Sequence, residues 1–349
     1  MKHMSLHRRD FLKTSLLGGL ALGLPWGGRR LLAAAEPSAA PAAAAASLSR
    51  VAVTAGEDRA DLTFQALKQF SGPIAAAIGD KRVIIKPNNV STVTPLCATD
   101  AKNLEGILEF LHSIGKDKNV VIAESPAGGP ASTGFDNYGY TPLAAKYGAK
   151  LFDLDQDEYE TFNCISEKDF RPHLVRAAKT MLDPNNYIIS AAKFKTHDTV
   201  VATLSLKNVV VGSALKRGGN DKPVIHGGGF RGLNYNIFTM AARLHPHLAV
   251  IDGYEGMEGN GPIHGSAVNS RVCVVSPDWL AADRVAVELM GIDFAKIGYL
   301  NYCARAGMGE ADLAKIEILG PALKDHIKTY KLANNIDQQL IWMQPMKNG

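Results

Sequence analysis

Six short apolar runs, separated by segments with helical spacing, constrain this chain more than any other feature. They are Val51 to Ala55, Arg82 to Lys86, Val120 to Glu124, Tyr187 to Ala192, Leu248 to Asp252 and Arg271 to Ser276. None alternates apolar with polar residues, which is the pattern of strands buried on both faces. Between them Ala60 to Ile78, Ala101 to Ile114, Thr141 to Tyr147, Leu233 to Leu244 and Asp278 to Met290 repeat apolar residues at helical spacing. Strand, helix, strand in that order predicts an α/β fold with a mainly parallel sheet flanked by helices, as one domain or two lobes. Ligands of such sheets bind beyond the carboxyl ends of the strands. The residues placed there are therefore the candidates for function.

The first fifty residues differ in kind. Arg8-Arg9-Asp10-Phe11-Leu12-Lys13 precedes an apolar run from Leu16 to Leu24, and small residues follow at Ala33, Ala34 and Ala35. This is the anatomy of a targeting segment, and it resembles a twin-arginine signal. The run is shorter than the roughly 20 residues that span a bilayer, so no stable membrane span is expected after cleavage; an uncleaved amphipathic anchor is the alternative. The expected organisation is a signal at 1–35, an Ala/Pro-rich linker at 36–49, one α/β domain at 50–322 and a C-terminal extension at 323–349. Periplasmic localisation through the twin-arginine machinery follows from the signal. Without residues 1–46, which hold six basic and two acidic side chains, 32 of each sign remain. The excess of positive charge thus belongs to the leader, and no nucleic-acid partner is expected.

The strand ends are rich in chemistry. Lys86-Pro87-Asn88 follows one run, with Thr99-Asp100 closing its loop, and Glu124-Ser125 follows another. After the fourth comes Lys193-Phe194-Lys195-Thr196-His197. If that stretch stays extended, Lys193, Lys195 and His197 share one side and Phe194 and Thr196 the other. Two ammonium groups and an imidazole in one place suit a phosphate or carboxylate, unless the lysines fan into solvent or pair with nearby carboxylates. Thr203 and Lys207, four apart, would share a helix face, with Asn208 beside Lys207 and Gly212 as C-terminal cap.

Seven glycines fall within Gly212 to Gly232, around His226. The segment reads as a mobile flap over a site or as a passive surface loop. Asp252-Gly253 through Gly261-Pro262 mixes carboxylates with glycines, as an oxygen-ligand loop for a hard cation or as a charged turn. Cys97, Cys164, Cys273 and Cys303 contain no C-x-x-C pair, so no iron–sulfur cluster is expected. Standard nucleotide-binding, zinc-protease and serine-hydrolase motifs are absent.

The ordered set matters more than any one motif. Ile-Lys-Pro-Asn at 85–88, Thr99-Asp100, Lys193-x-Lys195-x-His197, Leu206-Lys207-Asn208 with Gly212, Ile251-Asp252-Gly253 through Gly261-Pro262, and Asp283 before Met290-Gly291 stand in that sequence. Together they resemble the family called domain of unknown function 362, over Val51 to Leu319. The resemblance implies an α/β domain and marks these positions as its site, without supplying a reaction.

The expected function is an enzyme acting on a small anionic substrate or cofactor. His197, Lys195 and Asp252 are the catalytic candidates. Lys86, Asn88, Lys193, Thr203, Lys207, Asn208 and His226 are the binding candidates. Asp100, Glu124 and Asp252 are the candidate ligands of a divalent metal, and these residues identify no cofactor beyond that. The alternative is a periplasmic protein that binds or delivers a metal or anion without changing it.

Overall fold

A computed structural model describes residues 48–345. The signal expected at 1–35, and all but the end of the linker, lie outside the described residues. Among the described residues eleven strands form: β1 (Ser49–Ala55), β2 (Arg82–Pro87), β3 (Val120–Glu124), β4 (Lys150–Asp153), β5 (Tyr159–Ile165), β6 (Pro172–Ala178), β7 (Asn186–His197), β8 (Val201–Thr203), β9 (Leu248–Asn260), β10 (His264–Ser276) and β11 (Ile316–Leu319). The main sheet runs β11-β1-β10-β9-β7-β2-β3-β4, with β8 added alongside β7, and β5 and β6 form a separate hairpin. Pairs from β9 through β4 are parallel, whereas β10 is antiparallel to both neighbours. The expected mixed α/β architecture with a mainly parallel sheet is what forms.

Helices cover both faces. On one lie α1 (Arg59–Lys68), α2 (Ser71–Ile78), α3 (Ala101–Ser113), α4 (Ala131–Asn137) and α5 (Tyr140–Tyr147), sharing a core with Val83, Ile85, Ile189 and Val250. On the other lie α6 (Ser205–Gly212), α7 (Lys222–Ile225), α8 (Phe230–Ala241), α9 (Trp279–Leu289) and α10 (Gly298–Arg305), around Ile84, Ile188, Phe194 and Ile251. Neighbouring residues of β2, β7 and β9 thus enter opposite cores, which is why their sequences show no alternation.

Several elements differ from expectation for physical reasons. The helix expected over 60–78 is two helices, because the chain turns at Gln69 and Phe70. Strand β9 does not stop at Asp252. It continues through the glycines and pairs with β10 as far as Asn260, so the segment is neither a cation loop nor a charged turn. Gly256 sits against the hydroxyl of Tyr330 and the carbonyl of Phe194, where a side chain would collide. The glycines there make room for packing.

The β7–β8 turn carries the sharpest backbone feature. Val201, buried and β-branched, adopts φ of 68°, a conformation such residues rarely hold. Its amide donates to Oε1 of Gln339 at 2.7 Å. Gln339 is itself buried, in a short helix near the end of the chain. All four cysteines are buried with free thiols.

Candidate functional site

From β2 the chain steps outward through β3 to β4 at the sheet edge, then returns on the other side of β2 as β7. The order of connection therefore reverses between β2 and β7. Strand ends diverge at such a point and leave a crevice beyond their carboxyl termini. A cavity of about 240 Å³ lies there, with Lys86, Asn88, Asn89, Glu124, His197, Thr203, Lys207, Asn208, Lys222 and His226 in its wall. A hollow of about 400 Å³ at the opposite ends of β2 to β4 is lined by Arg82, Lys150 and Lys179. Lys179 there pairs with Glu158 and Arg82 with Asn186, and Asp157 and Asp183 share the lining.

Helix α6 forms the roof and is held at both ends. Asp283 of α9 accepts the amides of Ser205 and Leu206 at 2.8 and 3.1 Å, satisfying donors that the first turn leaves open. At the other end the amine of Lys222 donates to the carbonyls of Val211 and Ala214 at 3.1 and 2.8 Å. A cation is favoured at that end of a helix. Gly212 is the last helical residue, with Ser213 following as cap, so it is not the cap that spacing suggested. Its role is close approach: a Cβ there would lie 2.5 Å from Nζ of Lys86.

Lys86 donates to Oε1 of Glu124 at 2.6 Å, to the carbonyl of Pro87 at 2.8 Å and, weakly, to Oδ1 of Asn208. Burial pushes the Lys86 amine down and the Glu124 carboxyl up, and each partner's charge opposes the shift in the other. Asn208 donates to the carbonyl of Lys86 and to Ser190. Its Oδ1 accepts from Asn88, whose own Oδ1 accepts from Lys195. One polar chain thus runs from Lys195 through both asparagines to Glu124.

Lys207 stands apart from that order. Burial lowers its pKa to about 7, and the charge of Lys195 adds to the effect. Its amine meets no acceptor among the described residues. Nearby, Thr203 Oγ1, Glu124 Oε2 and both side-chain polar atoms of Asn89 are buried without a partner. Unpaired buried polar groups are costly, and these converge on one cavity.

The two imidazoles complete the wall, with ring centroids 6.4 Å apart. Burial holds His197 well below its ordinary pKa, with Lys207 contributing, and His226 is lowered for the same reasons. Both shifts favour the neutral ring. Nδ1 of His197 accepts the amide of Thr199 at 3.0 Å, which puts its proton on Nε2. Nδ1 of His226 lies 2.8 Å from the carbonyl of Lys222. A carbonyl only accepts, so His226 carries its proton on Nδ1 and leaves a lone pair on Nε2.

The structure divides the expected site. Strand β7 is extended to His197, and Phe194 enters the core opposite Lys193 and Lys195, as spacing predicts. The three basic groups nevertheless do not converge. Lys193 is paired in register with Asp252, on the face under α1. There Asp252 lies 3.6 Å from Nε of Arg59, which also pairs with Asp100. Lys195 turns to Asn88 and the carbonyl of Cys97, with its pKa lowered to about 8 mainly by burial. Only His197 reaches the cavity. Strand parity keeps Asp252 away from this cavity: like Val250, it points to the α1 face. Nor do Asp100, Glu124 and Asp252 meet as metal ligands. Arg59 takes two of them and Lys86 the third. Among the described residues no group of three His, Cys, Asp or Glu side chains is close enough to share an ion.

Thr203 ends β8 rather than joining the helix of Lys207, although both reach the cavity. The glycine-rich segment holds one helical turn, α7, and its Lys222 and Ile225 are buried. Sequence reasoning missed Lys222, Asn89 and the helix-capping part of Asp283. Lys222 had one signal, in Asp221-Lys222-Pro223 at a helix start within the glycines.

Every polar residue lining the cavity falls between Lys86 and His226, and Asp283 lies just beyond. The family described as Domain of unknown function (DUF362) matches residues 83–288. The chain belongs to the DUF362 family. The match is narrower than the resemblance over 51–319, leaving out β1 and β11 at one side of the sheet. The chain is also 26% identical over 231 residues to the thylakoid-associated protein sll1697 of Synechocystis, covering 65% of this chain and 68% of that protein. Among the described residues no helix is long and apolar enough to cross a membrane.

Proposed function

We propose that this DUF362 chain is an enzyme acting on a small anionic substrate, a phosphate or a carboxylate, bound in the cavity at the β2/β7 switch. The observation that carries the reading is the charge balance of the cavity wall. Lys86, Lys207 and Lys222 face a single wall carboxylate, Glu124, which is already engaged by Lys86. Positive groups crowded in low dielectric lower one another's pKa until an anion relieves them. Asn89, Thr203 and His197 Nε2 add neutral donors, and the two imidazoles supply one donor and one acceptor of protons. Lys86, Asn88 and Asn208 position this wall. Lys193, Lys195 and Asp252 support it from the other face.

The proposal includes export. The paired arginines and apolar run before Ala35 support delivery of the folded chain to the periplasm by the twin-arginine route.

Titration calorimetry of the full-length protein with phosphate and small carboxylates tests the binding, and NMR of the recovered ligand tests the chemistry. Binding at one site followed by conversion supports an enzyme. Binding with the ligand returned unchanged makes the chain a binding or delivery protein. Absence of binding overturns the anion site.

A further inference from the structure

Three lysines line the cavity, but two of them are committed. Lys86 gives its protons to a carboxylate, a backbone carbonyl and an asparagine, and Lys222 gives its own to the carbonyls that end α6. Burial lowers both of these amines, Lys222 to about 7 as it does Lys207, but their acceptors hold the protons of each and leave no electron pair facing the cavity. Lys207 meets no acceptor among the described residues, is buried, and lies in the field of Lys195 and Lys222. A lysine in such surroundings keeps a free electron pair and becomes a nucleophile.

We infer that Lys207 captures the carbonyl carbon of a small 2-oxo acid as an imine. This rests on the anion-binding reading above and narrows it to one substrate class. The cavity is below the common range for ligand pockets, roughly 300 to 1,000 Å³. A carboxylate held by Asn89 and Thr203, in the field of the committed lysines, is therefore only a few bonds from the Lys207 amine. An electrophilic carbon next to the carboxylate meets that constraint.

The bond changes balance without an oxidant. The neutral amine attacks the carbonyl carbon, and the carbon–oxygen π pair moves to oxygen. Both amine protons then pass to that oxygen, which leaves as water as the carbon–nitrogen double bond forms. Nε2 of His226, with its lone pair, relays the protons. Nε2 of His197, which carries a proton, hydrogen-bonds the oxygen without releasing it. The roles of the two histidines follow from the backbone partners of their Nδ1 atoms.

Reductive trapping tests this on the full-length protein. Glyoxylate, pyruvate and 2-oxoglutarate are each incubated with it in the presence of cyanoborohydride at neutral pH, and adducts are mapped by peptide mass spectrometry. With at least one of the three, Lys207 should be modified at least about tenfold more than exposed lysines, whose ordinary pKa leaves very little free amine. Lys207→Arg should abolish the selective adduct. Modification spread evenly over surface lysines such as Lys331, or an unselective pattern with all three acids, overturns the imine. Calorimetry with lactate, which has the carboxylate but no carbonyl, separates the two levels. Lactate binding without an adduct leaves the anion site standing and removes the nucleophile. If neither lactate nor any 2-oxo acid binds, both readings fall.

Discussion

Nδ2 of Asn88 donates to Oδ1 of Asn208 across 3.0 Å and 120 residues of sequence. This bond joins the loop after β2 to the roof helix and fixes which way both amides face. Asn208→Ala would strand the Asn88 amide and the carbonyl of Lys86 in a buried setting. Unfolding in urea should show a loss of about 2–3 kcal/mol. A loss within error of zero would mean that water satisfies the freed groups and that the asparagine pair is not a structural link.

Lys207→Met should behave differently. Replacing an unpaired buried amine with an apolar side chain of similar length is often neutral or stabilising. The variant should therefore melt at or above the wild-type temperature while binding phosphate at least about tenfold more weakly, as loss of a close charge implies. Marked destabilisation with unaltered phosphate affinity would assign Lys207 to packing alone.

Gly212→Ala probes the contact between the roof and Lys86. Alanine gains some helix propensity, but its Cβ would stand 2.5 Å from the Lys86 amine. That amine is held by three acceptors, so we expect a net loss of about 1 kcal/mol or more. In a Lys86→Met background the loss should shrink, because the flexible thioether can move aside. Equal losses in both backgrounds would trace the effect to the backbone.

The pH dependence has opposite signs with and without ligand. The folded pKa of Lys207, about 7, is below the roughly 10.4 of an unfolded chain. Between those values the unfolded state holds the extra proton, so Lys207 makes stability of the empty protein rise with pH. His197, also lowered by burial, works in the same sense at lower pH: its contribution is present above the unfolded value near 6.5 and fades as pH falls below it. An anion favours the protonated amine, so affinity for sulfate, whose charge is constant here, should fall as pH rises through about 7 to 8. Thermal melts with and without sulfate at several pH values show both trends. Affinity that is flat with pH would take Lys207 out of the binding site.

The sheet was legible because strands buried on both faces have an unmistakable composition, and the cavity residues were legible because they follow those strands. Grouping them correctly was not. Lys86 and Asp252 both close apolar runs, yet parity sends them to opposite faces, and parity cannot be read from runs without alternation. The glycines after Asp252 hid the continuation of β9, since their reason lies in Phe194 and Tyr330, distant in sequence. Lys222 was missed because its acceptors are helix-end carbonyls, which leave no trace in side-chain spacing.

Gln339, close to the end of the chain, holds the left-handed Val201 beside His197. β1, the first strand, lies between β10 and β11. A chain emerging from the ribosome therefore cannot complete that side of its sheet, or secure the turn at its site, until the segment from Ile316 to Gln339 has been made. Binding competence waits on that segment. A chain ending at Asn334 should retain most of the sheet while the Val201 amide exchanges with solvent, so that a truncated product is recognisable by its open site.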